Sequence, residues 1–147
     1  MNAVLAHWDN RSVESMYDKT LLAAEIRAIS KHIPEGSRVW DMGCGEGEAT
    51  LCYAGIKGVS IQATDKSSVR LEMAGKRLAG LKNVTLSVAD VSLPARGEPA
   101  DVVISQRLLI NLTNWRDQEA ALRNLARTTH RRMILCEGSR NGVAALN

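Results

Sequence analysis

The sequence predicts an α/β fold with a mostly parallel sheet, and three observations predict it. Segments with helical periodicity alternate with short apolar runs along the chain, the pattern of strands joined by helical crossovers. The first apolar run, Val39-Trp40-Asp41-Met42, opens directly into a glycine-rich turn. The run Asp101-Val102-Val103-Ile104-Ser105 is apolar without alternation through its centre, as in a parallel strand covered on both faces. A length of 147 residues suits one domain over 1–147.

The elements follow in order. A helix is expected over about 12–32, within an N-terminal helical segment of about 1–34, because Leu22, Ile26, Ile29 and Ile33 recur at helical spacing. Pro34-Glu35-Gly36-Ser37 breaks it. Residues 38–42 read as the first strand, 43–47 as the glycine turn and 48–54 as a helix. Residues 59–64 form the second strand and end at Asp65. Ser67 caps the next helix, which runs to about residue 79. Residues 84–89 form the third strand, ending at Asp90, and 101–105 the fourth. Thr113 or Asn114 caps a helix to about Thr128. A turn at 128–131 leads to the fifth strand, 132–137, and the tail over 138–147 has little pattern.

Bulk properties exclude several classes. The net charge is +3, and arginines crowd late in the chain at Arg123, Arg127, Arg131, Arg132 and Arg140. No aromatic residues interleave with them, so nucleic acid is not the expected partner. Cys44, Cys52 and Cys136 are odd in number and lack metal-ligand spacing with a histidine, so no metal is expected and the expected setting is a reducing cytoplasm. No apolar run is long enough for a membrane span, and the first ten residues lack the basic and apolar regions of a signal peptide.

The chemistry centres on Asp41-Met42-Gly43-Cys44-Gly45-Glu46-Gly47. An acid ends a strand, and three glycines at alternate positions let the backbone turn sharply and approach a ligand. In open α/β sheets ligands bind beyond the carboxyl ends of the strands. The spacing is G-x-G-x-G, not the G-x-G-x-x-G of a dinucleotide site, and Glu46 and Glu48 flank the last glycine. Two carboxylates there would repel a pyrophosphate and favour a cationic ligand. Asp65 ends the second strand, where a carboxylate can accept from two ribose hydroxyls. Asp90 ends the third and can accept from an adenine amino group.

These residues resemble the class I S-adenosylmethionine-dependent methyltransferase superfamily, from about Met16 to Glu137. The glycine turn is similar to its first motif, Asp65 and Asp90 match its second and third strand-end acids, and residues 101–105 resemble its fourth strand. S-adenosylmethionine carries a sulfonium and an ammonium group and no phosphate, in keeping with the acids of the turn. The resemblance implies a Rossmann-like three-layer sandwich with strand order 3-2-1-4-5. It implies that Asp41, Gly43, Cys44, Gly45 and Gly47 surround the methionine part, with Asp65 at the ribose and Lys66, Asp90 and Val91 at the adenine. Tyr17 is placed like a residue of an N-terminal helix that closes over the cofactor in several small-molecule methyltransferases.

The acceptor side departs from some branches of the superfamily. After the fourth strand stand Gln106, Arg107 and Asn111, polar groups that can orient an acceptor, without the Asn/Asp-Pro-Pro-Tyr signature of enzymes that methylate base or glutamine nitrogens. Trp8 and Asp9 are candidates for a lid. No His or Tyr is placed as a base, and His130 falls at the far end of the fifth strand, so no catalytic residue is assigned. The superfamily's strands 6 and 7 are not matched. The chain is expected to be truncated at its C-terminus, with a homo-oligomer or a partner chain covering the edge of the fifth strand. Two readings follow: methyl transfer to a small-molecule acceptor by in-line displacement, or a truncated, non-catalytic S-adenosylmethionine-binding scaffold. An RNA methyltransferase is a third, raised by the late arginines.

Overall fold

A computed structural model describes residues 3–138. Its sheet has five parallel strands in the order β3-β2-β1-β4-β5. These are β1 (Arg38–Met42), β2 (Ser60–Asp65), β3 (Val84–Val88), β4 (Ala100–Gln106) and β5 (Thr129–Cys136). The expected order is therefore observed, and the strand order reverses between β1 and β4, where ligand crevices form in such sheets. The helices are α1 (Ala3–Trp8), α2 (Lys19–Ser30), α3 (Glu48–Ala54), α4 (Ser68–Arg77) and α5 (Trp115–Thr128). None of the described helices is long and apolar enough to cross a membrane.

The pleat sorts the core into two layers. Val39, Ile61, Ala63, Val102 and Ile104 point to one face and pack with Ile29 and Ile33 near α2 and Tyr53 of α3. Trp40, Met42 and Val103 point to the other and pack with Leu125 of α5. With α2, α3 and α4 on one side and α5 on the other, β1 and β4 are buried on both faces. β5 is an outer strand with Met133 and Leu135 exposed, and the expected second copy or partner chain would meet the protein here.

Two boundaries differ from the sequence reading. The helix expected over 12–32 begins only at Lys19. Asp18 caps it, its carboxylate accepting from Leu21 N–H at 2.9 Å. Upstream, Asn10 Oδ1 accepts from the N–H and hydroxyl of Ser12 at 3.0 and 2.7 Å, which spends on a local turn the groups a helix would use. Likewise β5 starts at Thr129 and not at 132, so no turn separates it from α5. Thr128 and Thr129 donate their hydroxyls to the carbonyls of Asn124 and Leu125, ending the helix without a glycine. The C-terminal tail beyond 138, with Arg140, lies outside the described residues.

Candidate functional site

The carboxyl ends of the strands open into a cavity of about 930 Å³. A ligand pocket for a drug-sized molecule measures roughly 300–1,000 Å³, so this cavity has room for a large ligand and a second, smaller one. Of the expected residues, Asp41, Gly43, Cys44, Gly45, Asp65, Lys66, Asp90, Val91, Gln106, Arg107 and Asn111 all line it. Residues 89–96 of the loop after β3 and the N-terminal residues Val4, Leu5, Trp8 and Met16 also line it.

The glycine turn forms because the backbone there has positive φ, +78° at Gly43 and +75° at Gly47, which side chains with a Cβ rarely adopt. The two glycines differ in what surrounds them. A Cβ on Gly43 would come within 2.8 Å of Leu108 at the cavity wall. One on Gly47 would meet Leu78 at 2.9 Å and Ala74 at 3.2 Å, and Gly47 does not line the cavity. Gly47 was expected at the ligand; it packs α3 against α4 instead.

The turn's donors are already used. The N–H groups of Gly43 and Cys44 both donate to Thr64 C=O at 2.7 and 2.9 Å, and that of Gly47 to Cys44 C=O at 2.9 Å. Gly45 N–H donates to Asp65 Oδ2 at 2.8 Å. A phosphate-binding loop presents free N–H groups to its anion; those four face inward and favour a ligand without phosphate. The reason drawn from the sequence, the charge of Glu46 and Glu48, carries less weight. Glu46 is paired with Arg70 and Arg77, and Glu48 with Lys19.

Asp41 is buried and accepts from Thr50 Oγ1 at 2.6 Å. Burial pushes its carboxyl up to about 6, opposed by the Thr50 bond. Asp65 also accepts from Ser67 N–H at 2.9 Å. Burial raises its carboxyl above the ordinary value despite its backbone donors and the charge of Arg70. Each of its oxygens keeps lone-pair capacity for a hydroxyl from the cavity. The Cys44 thiol is pushed up by burial and by the nearby Asp41 and Asp65, so it is no thiolate nucleophile.

Asp90 is more committed than its sequence position suggests. Lys66 Nζ sits 2.6 Å from one oxygen, and Ser92 donates its N–H and hydroxyl to the other at 3.0 and 2.6 Å. Burial raises the carboxyl, but these donors outweigh it and leave it below the ordinary value. The loop that carries Asp90 and Val91 is fixed by Asn124 of α5, whose Nδ2 donates to Val91 and Leu93 C=O, both at 2.8 Å.

Beyond β4, Arg107 adopts φ +53°, a conformation that costs a non-glycine residue about 1–2 kcal/mol. Its surroundings impose it. Its N–H donates to Cys136 C=O at 2.8 Å, and its carbonyl accepts from Asn111 Nδ2 at 2.7 Å. Its guanidinium forks onto Glu25 through Nε at 3.1 Å and Nη2 at 2.6 Å. Glu25 also accepts from Gln106 Nε2 at 2.9 Å, and Gln106 accepts from buried Tyr53 at 3.0 Å. Arg107 is thus neutralised within the protein. The 3₁₀ turn at Leu109–Asn111 is capped by Glu137, which accepts from Leu108 and Leu109 N–H at 3.1 Å each.

Tyr17 does not line the cavity and is 76% exposed. The cause is the boundary noted above. Residues 14–18 are not helical, and it is the neighbouring Met16 that turns inward. Trp8 reaches the wall, and Asp9 accepts from Ser67 Oγ at 2.6 Å. Glu25, Arg70 and Asn124 escaped the sequence reading. Each acts through a partner distant in the chain, and no local pattern marks them.

Residues 39–131 match a family model described as a methyltransferase domain. No curated protein matches the chain in sequence. Among solved structures, the chain is similar to the N-methyltransferase NodS of Bradyrhizobium japonicum in complex with S-adenosylhomocysteine, with TM-score 0.73, 15% identity, and 86% of this chain and 66% of that one covered. A TehB-like S-adenosylmethionine-dependent methyltransferase of Corynebacterium glutamicum gives 0.63 and 23%, covering 76% and 62%. The cyclase SpnF gives 0.63 and 24%, covering 84% and 46%. The chain thus spans about half to two thirds of the length of these structures. At such identities they establish the fold, and their reactions differ.

Proposed function

The chain belongs to the methyltransferase domain family, and on that premise we propose that it binds S-adenosylmethionine and transfers its methyl group to a small-molecule acceptor. One observation carries the reading: a single cavity joins the inward-bonded glycine turn, Asp65 and Asp90 at one end to the polar group Gln106, Arg107 and Asn111 at the other. When bound, the cofactor supplies an activated methyl group on a sulfonium. The protein's part is to bind, orient and exclude water. Asp65 would hold the ribose, Asp90 with Val91 the adenine, and Asp41 with the turn the cationic methionine end.

The acceptor end supports a neutral acceptor. Arg107 is occupied by Glu25, and among the described residues no His or Tyr lines the cavity, which leaves carboxylates as its proton acceptors. An acceptor that attacks through a lone pair needs none before transfer. The lack of a His or Tyr among the described lining residues also supports a second reading, a cofactor-binding scaffold without transfer.

Calorimetric titration with S-adenosylmethionine and S-adenosylhomocysteine tests the reading. Binding in the micromolar range, weakened tenfold or more by Asp65→Ala, is the expected result. A folded chain that binds neither would end it. Methyl transfer from labelled cofactor to a mixed pool of small acceptors separates the enzyme from the scaffold.

A further inference from the structure

α1 has six residues and none of them is buried, far below the length at which an isolated helix holds in water. Yet Val4, Leu5 and Trp8 wall the cavity. A side chain from another element holds this wall in place. Arg70 of α4 is 1% exposed. Its Nε donates to Trp8 C=O at 2.7 Å, and its Nη2 to the carbonyls of Asn10 and Val13 at 3.1 and 2.8 Å. Its Nη1 pairs with Glu46 of the glycine turn, and the Trp8 ring lies 5.5 Å from the guanidinium carbon.

We propose that Arg70 is a positioning residue that latches residues 8–13, and with them the α1 wall of the cavity, and, through Glu46, couples that segment to the glycine turn. The second half of this assignment rests on reading the cavity as the cofactor site. The guanidinium suits the task because its planar fork sends donors in several fixed directions, here to three carbonyls and a carboxylate. A lysine has three donors on one atom and cannot span that set. Opening the segment returns the guanidinium to water, where it is well solvated, so the latch opens without unfolding the core. A ligand in the cavity adds apolar contact beneath α1 and shifts the balance to the closed form.

The test is hydrogen–deuterium exchange on the whole chain, read by peptide, together with titration by S-adenosylhomocysteine. Arg70→Lys and Arg70→Met are compared with the wild type and with Asp65→Ala, after circular dichroism confirms folding. In the ligand-free chain the Arg70 variants are expected to exchange at least tenfold faster over 8–13 while β1 and β4 are unchanged. They should also bind S-adenosylhomocysteine at least tenfold more weakly, with faster dissociation. Unchanged protection over 8–13 overturns the latch, and lost protection with unchanged affinity overturns the coupling. Should the wild type not bind, the cofactor reading and the coupling both fall, while ligand-free exchange still decides the latch. Should both Arg70 variants unfold, Trp8→Ala leaves the guanidinium in place and removes only the ring over it. Faster exchange over 9–13 is then expected, and unaltered exchange overturns the latch.

Discussion

Asp41 shows how a single residue trades stability for a site. Its carboxyl ends β1 beneath the glycine turn, buried, with Thr50 as its one hydroxyl donor. Burial raises it from 3.8 to about 6. A folded value above the unfolded one means that the neutral form favours the fold. That contribution is whole below pH 3.8 and is lost as the pH rises through about 6. At neutral pH the ionised carboxylate costs the ligand-free fold roughly 3 kcal/mol, at about 1.4 kcal/mol per unit. Asp41→Asn keeps an acceptor for Thr50 without the charge. Urea unfolding across pH 4–8 should therefore find the variant more stable than the wild type at pH 7.5, by about 1–3 kcal/mol, with the gap closing toward pH 4. A variant less stable than the wild type at pH 7.5 would contradict this account. Asp41, Asp65 and Asp90 were all legible in the sequence because each is a strand-end acid whose position follows from local pattern. Arg70 and Glu25 were not. An arginine on a helix reads as a solvated charge until the fold brings the carbonyls of Trp8, Asn10 and Val13 onto it.

At the scale of the element, most of the fold was legible, and the misses have one cause. Strand and helix cores announce themselves by periodicity, while their ends depend on which local group captures an N–H or a carbonyl. Asn10 takes the N–H and hydroxyl of Ser12, so the periodic pattern around residues 12–18 does not become helix, and Tyr17 with it leaves the cavity. The glycine turn offers a sharper case. Gly36 and Gly47 have nearly the same φ, +74° and +75°, but a Cβ meets nothing within 4 Å at Gly36 and Leu78 at 2.9 Å at Gly47. Gly36→Ala carries only the left-handed backbone cost, about 1–2 kcal/mol. Gly47→Ala adds overpacking between α3 and α4, a further cost of roughly 1–3 kcal/mol. Chemical denaturation of the two variants should rank them in that order. Equal losses would mean that Leu78 swings aside and that α3 and α4 are not tightly joined at this point.

At the scale of the whole molecule, the cavity governs what a ligand does to stability. The described chain keeps a large opening at the ends of four strands, and its thinnest wall, α1, contributes nothing buried. Filling the cavity should therefore stabilise the whole domain by mass action, about 2.7 kcal/mol at a ligand concentration of one hundred times Kd. For a domain of this size each kcal/mol moves the melting temperature by roughly 2–4 °C. S-adenosylhomocysteine at that concentration should thus raise Tm by about 5–10 °C. The choice of ligand tests the argument from the turn. Its four inward-bonded N–H groups leave little for a pyrophosphate, so NAD at the same concentration should shift Tm by less than about 1 °C. S-adenosylhomocysteine keeps the ammonium group and lacks the sulfonium charge, so its shift reports the site around Asp41 and Asp65 without the methyl group. Equal shifts from both ligands would mean a pocket that accepts any adenosine. The spent donors of the glycine turn would then explain nothing about selectivity.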